Sequence, residues 1–361
     1  MFQGLTRRML RPPAFGLDIS DLTVKFIRVV ERRGAFALDG FGEIGVPPGV
    51  IVGGEIKREA DLILLLQKGL RTEDGRRIRE RFCVASLPEE KSFVRMIEIP
   101  KMRAEDVGNA VRWEVEGVIP LPQNEIYFDY EPMPSLAGAD HRDVLLTAFP
   151  RILVDSYHRV LTAAGFLPIA LELESQAITR AIVTEVLART PAVIIDIGAT
   201  RTSFIISAAN SIVFTKSISV GGRDFEHAIA QALGVDAERA RKIKIEAGLD
   251  RQAEGGKVFA ALVPELTAIA TELEQQFWFW RDHTATRHPG IGDINTVILC
   301  GGDANLVGME AFFATAIRKE VVRGNPFAKL SFSPGAIPPI ARNLSLKYTT
   351  AIGLGIRAAA G

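Results

Sequence analysis

The chain has 361 residues, 47% hydrophobic and 24% charged, a soluble globular composition long enough for about two to four packed subdomains. Its 43 Lys and Arg residues balance 43 Asp and Glu residues, which leaves no general electrostatic attraction for nucleic acid or acidic lipid. No apolar run reaches the roughly 18 residues that a membrane span needs. The two cysteines, Cys83 and Cys300, lie in short apolar runs and read as buried free thiols in a reducing compartment, with a single disulfide between them as the alternative.

Residues 1–14 carry Arg7, Arg8 and Arg11 without an apolar stretch behind them, so they read as an N-terminal tail rather than a secretory signal. Strand-like runs over 15–30 flank a polar turn at 20–23, and another strand is predicted at 35–42. Pro47-Pro48-Gly49 and Gly53-Gly54 break the pattern and open an inserted unit. It holds a helix over 58–70, strands over 81–86 and 92–99, a helix over 103–118 and strands over 126–130 and 144–149. Val107, Val111, Val115 and Val118 give the second of these helices one buried face, and Pro120 and Pro122 stop it. The spacing thus predicts a compact α+β insertion at about 49–150.

A helix over 152–164 ends at Gly165, and a strand and helix fill 167–187. From Pro191 a second strand–turn–strand unit runs over 192–207, and Gly221-Gly222 precedes a helix over 224–233. Residues 251–256 read as a loop. Leu262, Leu266, Ile269, Leu273, Phe277 and Trp280 form the stripe of a long helix, so Phe277-Trp278-Phe279-Trp280 reads as packing rather than base stacking. The strand 296–300 runs into Gly301-Gly302 and a helix, and an apolar helix over 351–359 follows. His283 and His288, near a Pro-Gly loop, are the weak candidates for a metal site, and no zinc or nucleophile motif is present.

The two strand–turn–strand units align without gaps. Asp18 falls on Asp196, Ile19 on Ile197, Phe26 on Phe204 and Ile27 on Ile205, at a constant offset of 178 residues. Such a duplication makes two halves, 15–188 and 189–361. Two facing turns can clamp a polyphosphate with backbone N–H groups. Asp18 and Asp196, one at the end of each first strand, could hold Mg²⁺ through its waters. Lys25 could reach the phosphates as a point charge. Gly301-Gly302 after a buried strand would let a flat purine or ribose approach the backbone, and the helix behind adds partial positive charge. Gly221-Gly222 has the same logic.

At these residues the chain resembles the actin-like superfamily of actin, Hsp70 chaperones and sugar kinases. Asp18 to Lys25, with Ser20 in the turn, looks like its first phosphate motif, and Asp196-Ile197-Gly198-Ala199-Thr200 looks like the second. Gly301-Gly302 resembles the adenosine motif. Glu172 to Ser175 and Ala351 to Gly355 resemble the two connecting helices. Within that superfamily the stretches from Ile97 to Met102, Trp113 to Glu116, Ile119 to Pro122 and Phe128 to Tyr130 resemble the inserted domain of the PilM family.

The resemblance implies an α/β, ribonuclease H-like, two-lobed fold with an inserted α+β subdomain and a last helix returning to lobe I. It implies ATP with Mg²⁺ in the cleft, with Lys244 near the ribose. It also implies a cytoplasmic scaffold at the inner-membrane platform of the type IV pilus. The implied partners are the N-terminal peptide of a PilN-type membrane protein and other platform proteins, with room for a homo-oligomer and none for nucleic acid. Three positions depart from the family pattern. Ser20, followed by Asp21, stands for a glycine, Arg241 for a ribose-binding glutamate, and Asp303 for a small residue. These departures lower the ATP turnover to be expected, for which Glu172 and Glu174 are the water-positioning candidates. The competing readings are a GspL-like component of type II secretion and a sugar-kinase-type phosphotransferase, for which no catalytic aspartate stands out.

Overall fold

The computed structural model describes residues 12–133, 141–208, 211–282, 292–333, 335 and 337–360. Most of the N-terminal tail, and His283 and His288, lie outside them.

The chain begins its first sheet with β1 (Ala14–Ile19), whose six residues are all buried, as a strand covered on both faces must be. β2 (Thr23–Arg32) and β3 (Ala35–Gly45) return antiparallel beside it. A small hairpin, β4 (Ile51–Val52) with β5 (Glu55–Ile56), leads to α1 (Glu59–Gln67) and then to β6 (Phe82–Leu87). β7 (Phe93–Pro100), α2 (Ala104–Val118), β8 (Ile126–Pro132) and β9 (His141–Pro150) come next, followed by α3 (Arg151–Ala163), β10 (Leu167–Leu173) and α4 (Glu174–Ile182).

The second half repeats the plan. β11 (Ala192–Ile197), β12 (Thr202–Ala208) and β13 (Ser211–Ile218) form a meander, then come α5 (Gly222–Leu233), α6 (Ala237–Ala247) and α7 (Lys257–Trp280). β14 (Thr296–Cys300), α8 (Met309–Ile317), β15 (Glu320–Arg323), α9 (Arg342–Ser345) and α10 (Thr349–Ala360) complete it.

The sheets run β10-β6-β1-β2-β3 and β15-β14-β11-β12-β13. In each, the first strand pairs antiparallel with the second and parallel with the strand on its other side. Asp18 stands opposite Lys25, and Asp196 opposite Ser203, so the 178-residue offset holds through both hairpins. α10 crosses back onto β1, β2 and α4. Gly353 permits that approach: a side chain there would run into the Ala177 carbonyl on α4.

The insertion expected over 49–150 starts later. β6 is hydrogen-bonded between β1 and β10, and Val50, Ile51, Leu62 and Leu66 belong to the main core. The separate unit is the three-stranded sheet β7-β9-β8 with α2 across it. It has its own core of Ile97, Ile99, Val107, Val111, Val115, Ile126 and Val144. α6, capped by Asp236 on the Arg239 N–H, appears where no helix was predicted. The predicted helix straight after Gly301-Gly302 is a single 3₁₀ turn at Asp303–Asn305, and a regular helix begins only at Met309. Cys83 and Cys300 are buried free thiols, and the apolar stripe of α7 is buried as far as Trp280 except for half-buried Phe277, while Trp278, expected to pack, is exposed.

Candidate functional site

The two hairpins face each other between the lobes. Asp18, at the end of β1, is 5% exposed. Its Oδ1 accepts a hydrogen bond from Ser86 Oγ at 3.1 Å, and its Oδ2 lies 3.8 Å from Lys25 Nζ. Burial raises the Asp18 pKa, against the pull of Lys25. Asp196 takes the equivalent place on β11, with the Cys300 thiol 3.6 Å from its Oδ1. Desolvation, with repulsion from Glu174, pushes Asp196 up to about 6, and Asp18 adds to the rise. Asp18 and Asp196 thus lie close enough for their charges to interact, and Glu174 and Arg201 act on both.

Arg201, one residue past the quoted phosphate motif, is the side chain the sequence reading missed. It extends from the turn between β11 and β12 into lobe I. Its Nη1 donates to Glu90 Oε1 at 2.7 Å, and its Nη2 to both oxygens of Glu174 at 2.9 Å. These carboxylates hold its guanidinium firmly charged. The signal was present as an arginine on the position that aligns with Thr23 in the first turn.

Lys25 is committed locally, donating to Thr23 Oγ1 at 2.8 Å. Ser20 closes its own turn by donating to the Thr23 carbonyl at 3.0 Å. The Asp21 carboxylate accepts the Gly53 and Gly54 N–H groups, both at 2.9 Å, so its charge is spent on the β4–β5 turn. Half-buried Thr200 stays in the second turn, while the Gly198 and Ala199 carbonyls accept the N–H groups of Gly222 and Arg223 at 2.9 and 2.8 Å. The first N–H groups of α5 are thus used by the turn itself.

The adenosine side differs from its expectation. Gly301 is required by Asp196: with φ of +89°, a Cβ there would lie 2.6 Å from Asp196 Oδ1. Its neighbour Gly302 faces Lys347. Lys244 is no free ribose ligand. It donates to Asp303 Oδ1 at 2.5 Å and to Glu226 Oε1 at 2.8 Å, so the departure at Asp303 supplies its counter-ion.

Of the two water-positioning candidates, Glu172 is ruled out by position. Its side chain is 1% exposed, forked by Arg180 at 2.6 and 2.9 Å and also paired with Arg357, tying α4 to α10. Glu174 is also buried, and it holds Arg201.

A second feature lies on the inserted unit. A groove of about 680 Å³ runs between α2, β8 and the start of α3, lined by Glu105, Asn109, Arg112, Tyr127, Asp129 and Arg151 among others. The Arg151 guanidinium stacks over the Tyr127 ring at 4.1 Å, and Tyr127 Oη donates to Asp155 at 3.2 Å, so the groove joins the insertion to lobe I. Elsewhere on this unit Glu98, His141 and Asp143 approach one another. His141 Nε2 lies 3.5 Å from Asp143 Oδ1. Among the described residues no helix is long and apolar enough to cross a membrane.

Among solved structures, a PilM–PilN type IV pilus biogenesis complex matches 97% of this chain and 99% of its own, at 23% identity and a TM-score of 0.80. Ethanolamine utilization protein EutJ from Carboxydothermus hydrogenoformans matches 98% of this chain and 93% of its own, at 14% identity and a TM-score of 0.55. MreB5 of Spiroplasma citri bound to ADP matches 96% and 95%, at 13% identity and a TM-score of 0.56. These likenesses establish the actin-like fold. The sequence model of the family described as type IV pilus assembly protein PilM matches residues 16–359. With nearly the whole chain covered, the protein belongs to the PilM family of type IV pilus assembly proteins.

Proposed function

We propose that the protein is a scaffold of the type IV pilus platform at the cytoplasmic face of the inner membrane, and that it binds the N-terminal cytoplasmic segment of a PilN-type membrane protein. The observation that carries this reading is the groove on the inserted unit. β8 is an edge strand of its sheet, and Ile126, Tyr127, Phe128, Asp129 and Tyr130 all line the groove. Consecutive lining residues present the strand's edge as well as its faces, the geometry an extended peptide uses when it adds to a sheet. The solved relative is itself a PilM–PilN complex. Titration of a labelled PilN-type N-terminal peptide by fluorescence anisotropy tests the reading. Saturable binding that Arg151→Glu weakens at least tenfold supports it, and no binding at about 50 μM overturns it.

We infer further that the cleft takes ATP as a structural or switching ligand rather than a substrate for rapid turnover. Asp18 and Asp196 carry raised pKa values in one pocket, and a hydrated Mg²⁺ relieves that repulsion when bound. Asp18 and Asp196 would hold it through water, with the phosphates against the turns at 20–23 and 198–201. Glu172 is locked between two arginines and Glu174 holds a third, so neither is free to orient a water.

A further inference from the structure

We propose that Arg201 is an interlobe latch: it ties the phosphate hairpin of lobe II to the root of the inserted unit, and an incoming polyphosphate competes for its guanidinium. The competition rests on the nucleotide reading above. The tie itself rests on geometry alone.

Three successive side chains of the turn at Glu89–Lys91, between β6 and β7, reach three different elements. The Glu89 carboxylate accepts the Ser175 N–H at 3.1 Å and its hydroxyl at 3.0 Å, at the start of α4. Lys91 Nζ donates to Glu55 Oε1 of β5 at 2.5 Å. Glu90, between them, receives Arg201 from lobe II at 2.7 Å. β13 of lobe II packs on this same turn and on β7. The turn is thus the joint at which both lobes and the insertion meet, and Arg201 is its ionic tie across the cleft.

The tie is built to be exchanged. Arg201 is bidentate on Glu174 but holds Glu90 through one oxygen. Glu90 Oε2 is buried with no hydrogen-bond partner among the described residues, so this arm is the single Nη1–Oε1 bond. A guanidinium forks a phosphate as readily as a carboxylate. Arg201 sits in the very turn that would cradle the phosphates. When it turns to them, Glu90 loses its cation, and the root of the inserted unit loses its ionic tie to lobe II, with the packing of β13 on the turn and on β7 left in place.

The test compares wild type, Glu90→Gln and Arg201→Ala by calorimetric titration with ATP and Mg²⁺, alongside hydrogen exchange over residues 88–95. Glu90→Gln keeps the shape of the side chain and removes its charge. It is expected to bind ATP about threefold to tenfold more tightly than wild type, because less of Arg201's attraction is held in reserve. Arg201→Ala is expected to bind it at least tenfold more weakly. Without ATP both variants are expected to exchange faster than wild type over 88–95, and ATP is expected to speed exchange there only in wild type. Equal ATP affinity in wild type and Glu90→Gln overturns the competition while leaving nucleotide binding intact. If none of the three binds ATP, the nucleotide reading and the competition fall together. Unchanged exchange over 88–95 in both variants overturns the latch whatever the affinities.

Discussion

Replacing Gly353 with alanine should separate the two helices that join the lobes. A Cβ on Gly353 would lie 2.8 Å from the Cα of Ala177, and closer still to its carbonyl, whereas ordinary contacts begin at 3.4 Å. The obstacle is backbone, which cannot swing aside. α10 and α4 must therefore part by roughly an ångström or more, and such a gap forfeits about half or more of each dispersion contact along the interface. Ala351, Ile352, Leu354 and Ile356 of α10 are all at most 3% exposed, so the loss spreads along the whole helix. The expected cost is about 3 kcal/mol, at the upper end for overpacking. For a chain of 361 residues that corresponds to a fall in Tm of about 4 °C.

Two companions make the comparison internal. At Gly355 the obstructing atoms, 2.9 Å away, are the side-chain methyls of Ile27 and Val29, so Gly355→Ala should cost about 1 kcal/mol. At Gly117, exposed in α2 with nothing within 4 Å, alanine should stabilise the inserted unit by about 0.5–1 kcal/mol through helix propensity. Differential scanning calorimetry of the three variants should rank them in that order. A Gly353→Ala protein as stable as Gly117→Ala would refute the packing account.

The remaining predictions concern charge. Burial holds Glu89 up at about 7 from an ordinary 4.5. The folded state then keeps a proton that the unfolded state releases, so this group's effect on stability is absent below about 4.5 and becomes a growing cost as pH rises toward 7, on the order of 3 kcal/mol in all. Glu89→Gln should flatten the fall of Tm between pH 5 and about 8, and an unchanged slope would count against the buried-acid assignment. Glu172→Ala leaves Arg180 and Arg357 without their carboxylate and should cost about 2–3 kcal/mol, less than a fully buried pair because both arginines are partly exposed. ATP affinity should stay the same, and a change on titration would place Glu172 in the cleft after all. Lys244→Met should destabilise lobe II by about 3 kcal/mol, and adding Asp303→Ala should recover part of it. Additive losses in calorimetry would show the pair to be uncoupled.

The duplication was legible because each hairpin repeats its apolar alternation around an aspartate, and register follows that alternation. The extent of the insertion was not. β6 is apolar on both faces, so nothing in its residues says which strands flank it; that is decided by β1 and β10, far away in sequence. α6 was hidden because its sequence is dominated by charge, with only Ala240, Ile243 and the stem of Lys244 turned inward. Glycine pairs were visible but ambiguous: Gly301 serves the close approach of Asp196, a need that depends on the neighbouring strand. Arg201 was overlooked for a related reason. Its role exists only once Glu90 and Glu174 from the other lobe are beside it, and no local pattern encodes that meeting.

The inserted unit leaves and rejoins lobe I at adjacent points, since Phe93 at the start of β7 pairs with Ala148 near the end of β9. It also carries a hydrophobic centre of its own. A segment anchored at two neighbouring sites behaves as a cartridge. Substitutions on its outer surface should leave the register of the duplicated body beneath unchanged.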